Sequence, residues 1–519
     1  MLNRLIYKKT TLACLAFILL SLLGAAFYGL LFGKASPSDK TQQSKAQSSK
    51  VKTARVMANG DILIHNGLYG SAEQADGTYD FKPFFEYAKD WISSADLAIG
   101  DYEGTISPDY PLAGYPLFNA PSEIADAMKD TGYDVVDLAH NHILDSGLSG
   151  ALNTVKTFDK LGMPSIGVYK KDRDKEDILI KNVNGIKIAI LGYSYAYNGL
   201  EANLSDEDYE KHMSDLNEDK MKAEIQEAEK KADVTIVMPQ MGVEYQREPT
   251  QEQVTLYHKM VDWGADVIFG GHPHVVEPSE TVEKDGEKKF IIYSMGNFIS
   301  NQRLETVDDI WTERGLLMDV TFEKKNHKTK IKTVAAHPTM VWVWSKGVTG
   351  SEGFVLSDYR TLILEDFIKG GKYRDKLDAS MQEKVDTAYQ EMNELVNLTM
   401  ELKRQEVKLF SKSSRDVKNL YLSAFPAVER APYLPLLLTS YRDLADFYAY
   451  YDGDDFVGLA YILQNEAVVY LFFLAVNPNI RSRGYGSAIL QDVKDLAGNR
   501  PVVLAIEPMN EKADNLINA

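Results

Sequence analysis

A single cysteine, Cys14, stands in a chain of 519 residues. That excludes a disulfide framework and any cysteine-ligated zinc site. It leaves the compartment open, since both cytosolic proteins and disulfide-free bacterial extracellular proteins use so little cysteine. Basic charge is also scarce: the formal net charge is −18. A nucleic-acid binder needs a basic face to neutralise phosphates, so no nucleic-acid partner is expected. Internal repeats are absent, which removes solenoids and propellers. What is present is ordinary globular composition, 45% hydrophobic and 25% charged, at a length that predicts two or three domains.

The N-terminus departs from that average. Arg4, Lys8 and Lys9 precede Thr10–Gly33, which contains no charged residue. A helix needs about 20 apolar residues to cross the hydrocarbon core, whereas a signal-peptide core is about 7–15. Residues 1–35 are therefore expected to be a cytoplasmic tip and transmembrane anchor. The preceding positive charge orients the N-terminus inward and the main domains outward, which predicts a single-pass cell-membrane protein. Cleavage after Ala35 is the alternative. Residues 36–52, rich in Ser, Gln and Lys, read as a flexible linker.

From Thr53 to Val348 short apolar strands alternate with helical patterns, an α/β signature. The expected strands are Ala54–Ala58, Leu97–Gly100, Val135–Ala139, Ile186–Leu191, Val234–Met238, Val267–Gly270 and Phe290–Ser294. Met221, Ile225, Ala228 and Ala232 give one face of an intervening helix. Residues 349–414 read as a helical connector, with Met381, Val385, Tyr389, Met392 and Val396 on one face. Residues 415–519 form a last domain.

Four of those strands run directly into polar motifs: Gly60-Asp61 with His65, Gly100-Asp101-Tyr102-Glu103-Gly104, His140-Asn141-His142 with Asp145, and Gly271-His272-Pro273-His274. The carboxyl ends of strands in open α/β sheets converge on one crevice, so these groups should meet. Five of the nine histidines fall in these motifs. Carboxylate oxygen and imidazole nitrogen suit Mn, Fe or Zn, and one or two such ions can clamp a phosphoryl oxygen. A lone Gly-Asp or Asn-His is more often a turn, while Gly-His-Pro-His alone is evenly balanced between a turn and a ligand pair; their joint order is what points to a metal site.

Together with Gly242-Val-Glu244-Tyr245 and Tyr293-Ser294-Met295-Gly296-Asn297-Phe298, these motifs resemble the successive motifs of CapA-type capsule and poly-γ-glutamate biosynthesis proteins, divergent members of the calcineurin-like metallophosphoesterase fold. The resemblance implies a four-layer α/β/β/α sandwich over residues 53–348. It also implies membrane-bound polymer synthetase or export subunits as partners, and an anionic polymer or its precursor as the molecule acted upon. Asp61, Glu103, Asn141 and His274 are the implied metal ligands, with His272 as a further ligand or near neighbour. His142 is the implied proton donor to the leaving group, oriented by Asp145. His65, Asp101, His140, Glu244 and Asn297 would line the pocket. One departure stands out. Where the family has His-Trp-Gly, this chain has Gln240-Met241-Gly242, so an amide oxygen would replace an imidazole. A non-catalytic, polymer-binding scaffold is the alternative reading.

Near the C-terminus, the strand Val468–Val476 is followed by Arg481-Ser-Arg-Gly484-Tyr-Gly486 and a helical pattern from Ser487 to Leu496. Strand, Arg-x-x-Gly-x-Gly, helix is an anion-binding arrangement. With Ala424–Arg430, Asp455–Gly458 and Val502–Glu507, it resembles the GNAT N-acetyltransferases. By that resemblance Leu474 and Val476 would border acetyl-CoA, while Arg481, Gly484 and Gly486 would hold its pyrophosphate. The pattern stops at Asn515–Ala519, before the closing strands of that α+β fold, so an incomplete domain with doubtful acetyltransferase activity is expected; a CoA-dependent N-acetyltransferase acting through this domain is the second alternative function.

Overall fold

A computed structural model describes residues 51–349, 355–396, 402–426, 430–440, 445–452, 455–465, 467–478, 485–498 and 500–504. The apolar run Thr10–Gly33, the linker to Lys50, Arg481 and Gly484 lie outside them. Among the described residues no helix is long and apolar enough to cross a membrane.

The first domain contributes the strands β1 (Lys52–Leu63), β2 (Leu97–Glu103), β3 (Val135–Asp137), β4 (Ser165–Ile166), β5 (Leu179–Val183), β6 (Ile186–Ser194), β7 (Val234–Gln240), β8 (Val267–Phe269), β9 (Ser279–Lys284), β10 (Glu287–Ile292), β11 (Asn297–Ile299), β12 (Arg314–Lys325), β13 (Lys328–Thr349) and β14 (Val355–Ile363). They form an eight-stranded sheet, ordered β14-β13-β12-β1-β2-β3-β4 with β11 also on β1, and a six-stranded sheet, β5-β6-β7-β8-β10-β9. The near-continuous apolar runs of β6 and β7 are those of parallel strands covered on both faces.

Three packed layers of side chains separate the four layers of backbone. Between the sheets, Val56, Ile99 and Met318 meet Ile188, Ile236 and Phe269. Outside the larger sheet, helices α1 (Glu123–Thr131) and α2 (Gly147–Lys160) bury Ile124, Met128, Val155 and Phe158 against Ala98, Tyr102 and Val136. Outside the smaller sheet, α3 (Glu218–Lys231) and α4 (Gln251–Trp263) cover Ala189, Val237 and Ile268 with Ile225 and Met260. Each fully buried aliphatic side chain contributes about 1.5–3 kcal/mol. The α/β/β/α sandwich expected from the motifs is therefore present.

The expected helical connector at 349–414 is corrected. β14 pairs antiparallel with β13 and extends the larger sheet. Helix α5 (Ala379–Val396) then lays Val385, Ala388, Met392 and Val396 into the inter-sheet core, so the first domain continues to Val396 rather than ending at Val348. Leu402–Glu406, β15, already belongs to the next sheet.

That sheet runs β15-β16-β17-β18-β19, adding β16 (Asp446–Asp452), β17 (Asp455–Gln464), β18 (Val469–Val476) and β19 (Val502–Leu504). It is antiparallel except for the β18–β19 pair. Helix α6 (Lys412–Ala424) covers one face through Val417 and Tyr421, and α7 (Tyr485–Ala497) the other through Ile489 and Val493.

Candidate metal centre

The site is built on strand register. Asp61 of β1 is paired on one side with Asp101 of β2 and on the other with Asn297 of β11, and Leu63 is paired with Glu103. Gly60 permits the close approach of the segment preceding β11: a Cβ there would lie 1.9 Å from the Gly296 carbonyl oxygen, the same oxygen that accepts the Asp61 N–H at 2.9 Å. His272 and His274 sit on the loop after β8 with φ of 94° and 58°. Left-handed backbone is uncommon outside glycine and costs about 1–3 kcal/mol, so the surrounding structure must impose it. It does: Gly271 N donates to Pro239 O at 3.1 Å, Tyr245 N to Pro273 O at 2.8 Å, and Asn297 Nδ2 to His274 O at 3.2 Å.

Three residues converge most closely. His274 Nδ1 lies 2.8 Å from Asp61 Oδ2, 3.1 Å from Asn297 Oδ1 and 3.9 Å from Glu103 Oε2. One ligand atom each from Asp61, Glu103 and His274 falls within 4.8 Å of the others, and all three residues are buried. Asp61 Oδ1 and both Glu103 oxygens are buried without a hydrogen-bond partner. Orphaned carboxylate oxygens beside an imidazole fit a hard or borderline divalent cation. Burial, reinforced by the Asp61 charge, raises the Glu103 pKa; the His274 and His142 charges oppose the shift. Burial disfavours charge on His274, but Glu103 and Asp61 outweigh it and raise the ring to about 10.

His142 approaches from the loop after β3. Its Nδ1 is 2.7 Å from Asp145 Oδ2, its Nε2 is 4.0 Å from Glu103 Oε1, and the Phe118 ring packs edge-on at 4.7 Å. Asp145 also accepts the Phe118 N–H at 2.6 Å. Asp145 thus contacts both the His142 ring and the Phe118 backbone. Asn141 is buried, with its Nδ2 donating to Asn198 Oδ1 at 3.3 Å. His272 lies one ring further out, 6.1 Å from His274 and 4.5 Å from Tyr195. Its Nδ1 is unpartnered, and burial lowers its pKa to about 3. His65 borders the site through Phe118, at 5.0 Å, and burial lowers its pKa to about 4. Glu244 is exposed, and its charge is felt by Tyr195, Tyr245 and His274.

Beside the three-residue cluster lies a second buried group. His140 Nε2 is 2.6 Å from Asp101 Oδ1, and Gln240 Nε2 donates to Asp101 Oδ2 at 2.8 Å. Gln240 is thus tied to Asp101 by its amide nitrogen. Asp137, which sequence reasoning missed, completes the group with Asp101 and His140. Burial and the Asp101 charge push it up to about 8. Its signal was an acid closing the apolar strand Val135-Val136-Asp137. Asn198, also missed, lies in a loop with no motif. Of the residues read as a pyrophosphate site, Gly486 is described, near the start of α7 with room for a Cβ 3.6 Å from Val476.

Residues 55–302 match the family described as bacterial capsule synthesis protein PGA_cap, and residues 414–518 match the acetyltransferase (GNAT) family. The capsule biosynthesis protein CapA of Bacillus anthracis is 32% identical over 249 residues, 47% of this chain and 59% of that protein. The PGA biosynthesis protein CapA of Bacillus subtilis (strain 168) is 28% identical over 268 residues, 50% of this chain and 67% of that protein. The chain therefore spans less than two thirds of the first relative. Among solved structures, the calcineurin-like phosphoesterase YfkN from Bacillus subtilis aligns with 56% of this chain and 91% of its own, at 18% identity and a TM-score of 0.35. A GNAT-family acetyltransferase from Bacteroides thetaiotaomicron aligns with 22% of this chain and 67% of its own, at 24% identity and a TM-score of 0.20.

Proposed function

From the premise that residues 55–302 are a capsule-synthesis PGA_cap domain of the CapA type and residues 414–518 a GNAT-family segment, we propose that the chain serves capsule biosynthesis through a divalent-metal phosphoesterase-type centre at Asp61, Glu103 and His274. The observation that carries this reading is the set of three buried, unpartnered carboxylate oxygens on Asp61 and Glu103, the two acids beside the His274 imidazole. A divalent cation held there would polarise a phosphoryl oxygen and make a water more acidic. Asn141 and His272 would serve as further ligands. His142, its Nδ1 proton held by Asp145, presents Nε2 to a departing oxygen and gives it a proton. The substrate class is an anionic polymer such as poly-γ-glutamate, its lipid carrier, or a phosphoester.

The apolar N-terminus would anchor the domain outside the membrane beside the synthetase and export subunits. The GNAT-type segment would then be a structural module, because acetyl-CoA is not expected in that compartment.

A second reading, a polymer-binding scaffold, is favoured by Gln240, whose amide is engaged with Asp101 where a ligand imidazole would have stood. Both readings are tested on the purified full chain. After chelator treatment it is loaded with Mn, Fe or Zn, its metal content is measured, and hydrolysis of bis(p-nitrophenyl) phosphate is followed. The expected result is at least one metal per chain and activity that falls about 10²–10⁴-fold in His142→Ala. A chain that retains no metal, with trace activity unchanged by His142→Ala, refutes the enzyme; metal without hydrolysis selects the scaffold.

A further inference from the structure

The loop after β6 carries no family motif, yet it touches the site at two places. Tyr195 packs its ring 4.5 Å from that of His272. Asn198 engages both residues of the Asn141-His142 pair: its Oδ1 takes the Asn141 NH2 at 3.3 Å, and its own Nδ2 lies 3.4 Å from His142 Nδ1. Asp145, closer at 2.7 Å, accepts the Nδ1 proton of His142, so the contact from Asn198 is packing on that ring rather than a competing hydrogen bond. Toward Asn141 the interaction has a direction. An amide carries its two donors on one arm and its acceptor on the other. With the NH2 spent on Asn198, the Asn141 oxygen meets no hydrogen-bond donor among the described residues.

The backbone agrees. Asn198 and Gly199 are consecutively left-handed, with φ of 56° and 78°. Asparagine is one of the few side chains that visit this region readily. The turn is fastened from within by the fully buried Tyr197. Asn198 itself is exposed, so its side chain adds nothing to the core.

We propose that Asn198 is a positioning residue for the metal centre, holding the Asn141 amide with its nitrogen turned away and its oxygen left available to a divalent cation. This rests on the phosphoesterase-type reading above. Groups that orient a ligand without touching the metal typically change metal affinity about 10–100-fold when removed.

The test is Mn2+ binding to the full chain, read from the free-ion electron paramagnetic resonance signal, for the wild type, Asn198→Gly and Asn198→Asp. Glycine keeps the left-handed turn and deletes the amide; aspartate keeps an oxygen that accepts from Asn141. Asn198→Gly should bind about 10-fold more weakly. Asn198→Asp should bind at least as tightly as the wild type. Thermal unfolding without added cation should be the same for all three. Equal Mn2+ affinity in the wild type and Asn198→Gly overturns the proposal, and so does an Asn198→Asp variant as weak as the glycine. Wild-type chain that takes up no Mn2+ fails differently: it removes the metal centre itself.

Discussion

Replacing Glu103 by glutamine should shift two melting curves by unequal amounts. Glu103 is fully buried, neither of its oxygens has a hydrogen-bond partner, and the Asp61 charge stands beside it. A buried unpaired polar group costs about 1–3 kcal/mol. With chelator present that penalty opposes folding; a neutral amide of the same shape stays unpaired but removes the larger cost of burying a charge beside Asp61, which outweighs the lost attraction to His274 at 3.9 Å. At about 2 °C per kcal/mol for a chain of this size, Glu103→Gln should melt roughly 2–6 °C above the wild type. With Mn2+ at 100 times its dissociation constant, the wild type gains about 2.7 kcal/mol, or roughly 5 °C. The variant, short of one anionic ligand, should forfeit most of that gain, so its lead over the wild type should shrink by most of roughly 5 °C. Scanning calorimetry in chelator and in Mn2+ reads both curves. If Glu103→Gln is less stable by the same amount in both buffers, Glu103 is a structural acid and the cation argument fails. An undiminished Mn2+ increment in the variant would be equally damaging.

Away from the site, His337 lies between Glu365 (Nδ1 to Oε1, 2.8 Å) and Asp319 (Nε2 to Oδ2, 3.6 Å). Burial opposes its charge, but the two carboxylates raise the ring to about 9. The folded state holds this proton more tightly than the unfolded chain, whose histidine titrates near 6.5. The stabilisation, about 3 kcal/mol, is complete below pH ~6.5 and is lost as pH rises through about 9. Urea unfolding at pH 6 and at pH 9.5 should show that loss in the wild type and a flatter response in His337→Gln; parallel responses would refute it. Met392→Ala in α5 should cost about 2–5 kcal/mol by the same method, because Met392 fills the inter-sheet core. A cost below ~0.5 kcal/mol would return α5 to the status of a connector.

The parallel half of the sandwich and the three converging side chains were legible because each apolar run ended in a rare polar residue. Asp61, Glu103 and His274 follow from that pattern. The antiparallel half was not. In β14 the buried Tyr359, Thr361 and Ile363 alternate with Asp358, Arg360 and the equally buried Leu362, so neither a period of two nor of 3.6 stands out. For α5 the helix was read correctly and its destination was not: Val385, Met392 and Val396 face the core as expected, while Ala388 is buried where Tyr389 is only partly so. Asn198 was invisible because an exposed asparagine before a glycine reads as a turn whatever it touches.

Asp61 is flanked by Asp101 and Asn297 through main-chain pairing on both sides of β1. The spacing of Asp61 from Asp101 and Asn297 is therefore copied from the interval between strands, about 4.8 Å, and needs no dedicated scaffold. Sliding β1 by one residue would turn Asp61 away and at the same stroke push its apolar neighbours out of the core. Selection for a sound sheet and selection for a working pocket thus act on the same alignment, and mutational drift in one has no freedom from the other.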